Sequence, residues 1–115
     1  MTREQITVLC LSLPGAREDI KWGGVQVFSV AGNKMFALFH LDRQDGLAFK
    51  VEDDLFLGFC DRPGIRPAPY LARAHWISMA APYPMSDEEL HTLLTRSHQL
   101  VVAKLPKRTR AGLLI

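Results

Sequence analysis

The residues best able to do chemistry here are four histidines (His40, His75, His91, His98) and two cysteines (Cys10, Cys60). His91 and His98 stand seven apart in a helical stretch and so share a side, with Asp87 one turn before His91. Such a trio can ligate a metal, but a His pair at i, i+4 and any Cys-x-x-Cys are missing. A solvated helix face with an acid near its N-terminus explains the spacing better. Neither cysteine has a neighbouring histidine, and both sit in apolar helical patterns, which makes poor nucleophiles. There is no G-x-S-x-G, and Gly23-Gly24 is a lone pair before a strand rather than a phosphate loop. Glu52-Asp53-Asp54 read as acids at a helix start, favoured there by the dipole. No catalytic residue, metal or cofactor is expected, and the chain does not read as an enzyme.

The informative constellation is aromatic and basic together. Lys21-Trp22 precedes the first predicted strand, Lys34 opens the second, Lys50 closes the third, and Arg73, His75 and Trp76 lead into the fourth. Cations near hairpin ends can neutralise phosphates, and each Trp can stack on a base. The structural alternative is two tryptophans anchoring the core beside solvated lysines. Charge is uneven along the chain. Residues 1–61 hold six Lys/Arg against nine Asp/Glu, net −3, and residues 62–115 hold eight against three, net +5. Lys104, Lys107, Arg108 and Arg110 crowd the end, where they read as a basic tail over about 104–115.

These residues need elements to position them. Thr2 with Gln5 fits a capping box, and Ile6, Leu9, Cys10 and Leu13 form one helical stripe, stopped at Pro14-Gly15. Val25–Val30 is β-branched and aromatic, Ala31–Lys34 is a turn, and Met35–Leu41 returns as a strand. Its odd positions, Met35, Ala37, Phe39 and Leu41, should face the core, with Lys34, Phe36, Leu38 and His40 on a part-covered face. Asp42–Gly46 is a polar loop and Leu47–Val51 a third strand. A helix follows from Glu52, burying Leu55, Phe56, Phe59 and Cys60. Next come a Pro-rich loop over 62–69 and a strand over His75–Met79. Ser86 with Glu89 is a second capping box, opening a helix striped by Leu90, Leu93, Leu94, Ser97 and Val101 and ended by Pro106. The predicted class is α+β, two-layer, with an antiparallel sheet of hairpins packed against helices in the order α-β-β-β-α-β-α.

At 115 residues, 48% hydrophobic and 23% charged, the chain is sized for one globular domain, residues 1–115. The apolar stretch over 6–13 carries no small-x-small cleavage site and reads as a mature helix, not a signal peptide. The longest uncharged run, Ala74–Ser86, is broken by Pro82 and Pro84 and too short to span a bilayer, so no membrane contact is expected. Two lone thiols fit the cytoplasm better than a disulfide does.

One ordered set of residues resembles a known family. It begins with Leu13-Pro14-Gly15-Ala16, Lys21-Trp22-Gly23 and Phe28-x-Val30-x-Gly32-x-Lys34-x-Phe36-Ala37. It continues with Phe49-Lys50, Pro63-Gly64 and His75-Trp76-Ile77. It closes with Glu89-Leu90, Ser97-His98-x-Leu100-Val101 and Lys104-Leu105-Pro106-Lys107-x-x-Arg110. The set is similar to the MmcQ/YjbR family over about residues 10–110. The resemblance implies a two-layer α+β fold whose hairpins are likened to the double wing of a DNA-binding domain. It implies no catalytic residues. The family pattern has an aromatic, usually Tyr, where this chain has His98.

Three functions are weighed. The first is weak, electrostatic DNA binding, with Lys34, Lys50 and Arg73 on phosphates and Lys104, Lys107, Arg108 and Arg110 as a flexible anchor. The second is a protein-interaction module using an aromatic sheet face, for which an exposed Trp22 or Trp76 on an apolar patch is the mark. The third is a pocket for a small anionic ligand, lined by Trp22, Lys34, Phe36, Lys50 and Trp76. Trp22, Phe36, His75, Trp76 and His98 are the candidate stacking or pocket residues.

Overall fold

The computed structural model describes residues 1–41 and 43–115. Helix α1 (Arg3–Ser12) opens on the expected capping box: Gln5 N–H donates to Thr2 Oγ1 and Thr2 N–H to Gln5 Oε1. Strands β1 (Arg17–Lys21), β2 (Val25–Val30), β3 (Lys34–His40) and β4 (Gly46–Lys50) follow. Next come a short helix α2 (Phe56–Cys60), a two-residue strand β5 (Arg66–Pro67), a 3-10 turn (Ala72–Ala74), β6 (Trp76–Met79) and α3 (Asp87–Val102). The strands form one antiparallel sheet in the order β1-β2-β3-β4-β6-β5, so the α+β antiparallel class is as expected. The two edges, β1 and β5, are absent from the sequence reading. Arg17–Lys21 is too charged to show an apolar alternation, and β5 is too short and holds a proline. At Asp42 the expected loop lies outside the described residues.

One face of the sheet carries α1 and α3. Phe28, Phe36, Phe39, Leu47, Phe49, Ile77 and Met79 meet Ile6, Cys10, Leu90, Leu94 and Val102 in the main core. The expected alternation of the second strand breaks at a bulge: Phe28 faces Ala37 but Ser29 faces Met35, leaving Phe36 as the extra residue. A bulge breaks the period of two. Ala37 and Phe39 point at the helices as expected, whereas Met35 lies on the opposite face and Leu41 is 62% exposed. The bulge is clamped by α3. Ser97 Oγ donates to Phe36 O at 2.6 Å and accepts from Lys50 N–H at 3.0 Å, and Ser97 is fully buried.

Two other expectations are corrected. The acids Glu52, Asp53 and Asp54 do not start a helix. They sit in a turn where Glu52 accepts from Arg96 at 2.8 Å and Asp53 pairs with His75 at 2.7 Å, and α2 begins at Phe56 with Leu55 exposed. The Ser86 box is half made. Ser86 Oγ caps Glu89 N–H at 3.1 Å, but the Glu89 carboxylate takes two 2.8 Å bonds from Arg62 instead. That fork raises the Arg62 pKa and lowers that of Glu89.

The end of the chain is docked rather than loose. Leu105 joins the main core, Leu113 packs against it and lies over Gly15, and Gln99 Nε2 donates to Leu113 O at 3.1 Å. Cys10 and Cys60 are free thiols, and burial pushes the Cys10 thiol up to about 12. Among the described residues no helix is long and apolar enough to cross a membrane.

Candidate binding site on the open face of the sheet

The face of the sheet away from the helices is covered over part of its area. By register, Val27, Leu38, Ala48 and Ser78 form a row across β2, β3, β4 and β6. The segment after β5 folds back over that row, so that Ala68 and Trp76 pack on Val27, Leu38 and Ala48, with Val25, Met35 and Leu71 around them. The rest of the face is a trough of about 670 Å3 with a mostly apolar lining. Val25, Met35, Leu38 and Ala48 make its floor, Trp22 and Leu41 border it from the turns after β1 and β3, and Pro69, Tyr70 and Leu71 border it after β5. Its size falls within the range of small-molecule sites.

The polar end of the trough is built around a glycine. His40 ends β3 opposite Gly46, and its ring lies across that residue. A Cβ at Gly46 would come within 2.6 Å of His40 Nδ1 and 2.8 Å of Nε2. From there the ring reaches Ser78, with Nε2 2.8 Å from the buried Oγ, which also accepts from Arg43 Nη2 at 2.8 Å. A guanidinium only donates, so the Ser78 oxygen accepts from Arg43 and shares one further hydrogen bond with His40 Nε2. Ser78 was not singled out in the sequence, where a lone serine inside an apolar strand carries no signal.

The anticipated site residues separate into three groups. Trp22 is 65% exposed and borders the trough, whereas Trp76 is 4% exposed and belongs to the layer beneath it. Phe36 and His98 are buried on the opposite, helix side, their rings 5.2 Å apart edge to face, so neither stacks on a ligand. His98 Nε2 lies 2.8 Å from Pro14 O and Nδ1 2.8 Å from Gln99 Nε2, which ties α3 to the end of α1. That is the arrangement of a neutral ring donating from Nε2 and accepting at Nδ1, and burial pushes the His98 pKa down. His98 therefore packs inside the protein. His91 is exposed, so it shares no environment with His98 despite the spacing of seven.

Lys50 is not a surface cation. It is 7% exposed, with Nζ donating to Ala74 O at 2.6 Å, and its pKa is lowered by desolvation and by Lys104 nearby. His75, with a left-handed backbone at φ 62°, turns its ring onto Asp53 and Phe56 instead of a ligand. Lys34, Arg73, Lys104, Lys107 and Arg108 are exposed, and Arg110 is half-buried. Lys34 begins β3, Arg73 precedes β6 and Lys104 follows α3. The pairing of Ala37 with Phe49 and of Lys50 with Trp76 sets the first two at one end of the sheet. Glu52 and Asp53 stand at that same end, so carboxylates interrupt the basic surface. Arg96 holds Glu52 there, and elsewhere Arg3, Arg17 and Arg62 hold Asp45, Asp19 and Glu89. The anticipated pocket of Trp22, Lys34, Phe36, Lys50 and Trp76 does not form, because Phe36 and Trp76 are buried on opposite faces of the sheet.

Known proteins share this architecture. The chain is 24% identical over 114 residues to the protein called uncharacterized protein YjbR in Escherichia coli K12 and in strain O157:H7, covering 96% of this chain and 95% of theirs. The crystal structure of Deinococcus radiodurans protein DR2400, described as a DUF419 domain, superposes with a TM-score of 0.85 at 26% identity, covering 97% of this chain and 87% of that one. A Pseudomonas syringae protein solved by structural genomics superposes with a TM-score of 0.71 at 26% identity, covering 88% and 99%. The YjbR family profile matches residues 11–100, from the end of α1 through all six strands and well into α3, and on that match the chain belongs to the YjbR family.

Proposed function

We propose that this chain is a non-catalytic, cytoplasmic binding protein whose site is the trough on the open face of the sheet and whose occupant is a small molecule with a largely apolar body. The observation that carries the reading is a preformed apolar trough of about 670 Å3 bordered by exposed Trp22 and Tyr70. Apolar surface left uncovered in this way is stabilised by a guest that removes it from water. Free thiols fit a reducing compartment. The uncharged dye N-phenyl-1-naphthylamine tests the site, because its emission rises in apolar surroundings. Saturable enhancement is expected, weakened about tenfold in Trp22→Ala, the loss of one aromatic contact. No enhancement with dye up to about 100 μM, or equal affinity in the variant, refutes the reading.

Weak DNA binding is a second reading, in keeping with the double-wing likeness. What favours it is that Lys34, Arg73, Lys104, Lys107 and Arg108 are exposed and, among the described residues, hold no carboxylate. Lys50 drops out of the contact set, and Trp22 is the one tryptophan left to stack on a base. Fluorescence anisotropy with duplex and single-stranded oligonucleotides at low salt tests it. Replacing Lys107, Arg108 and Arg110 by alanine is expected to flatten the salt slope, and no binding at micromolar protein removes the reading.

A further inference from the structure

We propose that the ligand of the trough is a small planar aromatic molecule bearing one negative group, its ring system flanked by Trp22 and Tyr70 and its anion beside the Lys21 ammonium. The proposal rests on the trough reading above and adds the ligand's chemistry.

Trp22 follows β1 and Tyr70 follows β5, the two opposite edges of the sheet, yet both border the same trough. Both have left-handed backbones, φ 47° and 65°. Bulky L-residues rarely sit there, and such conformations gather at ligand clamps. Trp22 is 65% exposed and Tyr70 fully so, and among the described residues neither pairs with another aromatic ring. Two exposed aromatic rings therefore border a floor of Val25, Met35, Leu38 and Ala48. Stacking on such rings favours a planar guest.

An aromatic pair also suits a quaternary ammonium, so charge has to decide. Among the described residues no carboxylate lines the trough. Lys21 pairs with Val25 across the strands and so shares its face, and its Nζ stands 5.9 Å from the Trp22 ring centre. Its hydrogen-bond partner is neutral, Asn33 Oδ1 at 3.3 Å. The acid nearest by register on that face, Asp19, sits 3.9 Å from Arg17. A cationic guest would meet Lys21 in repulsion, and an anionic one would gain a partner.

Displacement of bound N-phenyl-1-naphthylamine by 2-naphthoate, 2-naphthalenemethanol and 2-naphthylmethylammonium tests this. The acid is expected to compete about fivefold better than the alcohol, the size of a solvent-exposed ion pair, and the ammonium worst. Lys21→Ala is expected to bring the acid level with the alcohol while leaving the alcohol unchanged. An acid no better than the alcohol, or an acid preference that survives Lys21→Ala, overturns the proposal while the trough reading stands. Failure of the dye itself to bind removes both.

Discussion

Replacing Ser97 by alanine removes one oxygen and should unfold a measurable fraction of the protein's stability. On an exposed helix position the same change is favourable by roughly 0.5 kcal/mol, since alanine is the better helix former. At Ser97 the hydroxyl holds two backbone groups of the sheet, Phe36 O at 2.6 Å and Lys50 N–H at 3.0 Å, with no exposed surface of its own. The Lys50 N–H has one proton to donate, so alanine leaves it buried and unpaired, at a cost of about 1–3 kcal/mol. The carbonyl at the bulge loses a partner as well. Offset by helix propensity, the net loss is about 2–3 kcal/mol. With a urea m-value of about 1–3 kcal/mol/M for a small domain, the midpoint should fall by about 0.7–3 M. Equilibrium urea unfolding measures this, and amide exchange at Lys50 should speed up in parallel, which localises the effect. Ser12→Ala on exposed α1, where the hydroxyl bonds Leu9 O, serves as control and should stay within about 0.5 kcal/mol. A Ser97→Ala midpoint equal to or above wild type refutes the clamp.

Gly46→Ala should push the His40 ring off its bond to Ser78 and cost about 1–3 kcal/mol by overpacking; an unchanged thermal midpoint would show that the ring relocates freely. His98 is buried with a lowered pKa, so its contribution is complete above its unfolded value, about 6.5, and is lost as pH falls through the folded value. Urea midpoints from pH 8 to pH 5 should therefore decline more steeply in wild type than in His98→Gln, and parallel curves would contradict this. Leu105→Ala should cost about 2–4 kcal/mol, because its side chain lies in the core; a loose tail would show no loss on unfolding.

Much of the fold was legible in local pattern. Thr2 and Gln5 announced α1, the β-branched and aromatic run announced β2, and the spacing of Leu90, Leu94 and Ser97 announced α3, because caps and periodicity act within a few residues. The charged edge β1 and the two-residue β5 were not, since their strand identity comes from a neighbour's ladder and not from their own side chains. The acid run after β4 misled for a related reason: a dipole argument for a helix start lost to Arg96 and His75, residues far away in sequence.

The site shows the same division more sharply. Residue type alone determined that Trp22 and Trp76 are aromatic, that Lys34 and Lys50 are basic and that His98 is an imidazole. Only tertiary structure decided which of these meets solvent. Lys50 and Lys34 look alike on paper, but one has its ammonium closed under the Ala74 carbonyl and the other lies open at a strand start. Trp22 and Trp76 both adjoin a strand, but the segment after β5 folds over one and leaves the other bare. Burial depends on what the rest of the chain lays across a residue, through contacts dozens of positions apart, and no short-range pattern carries that information.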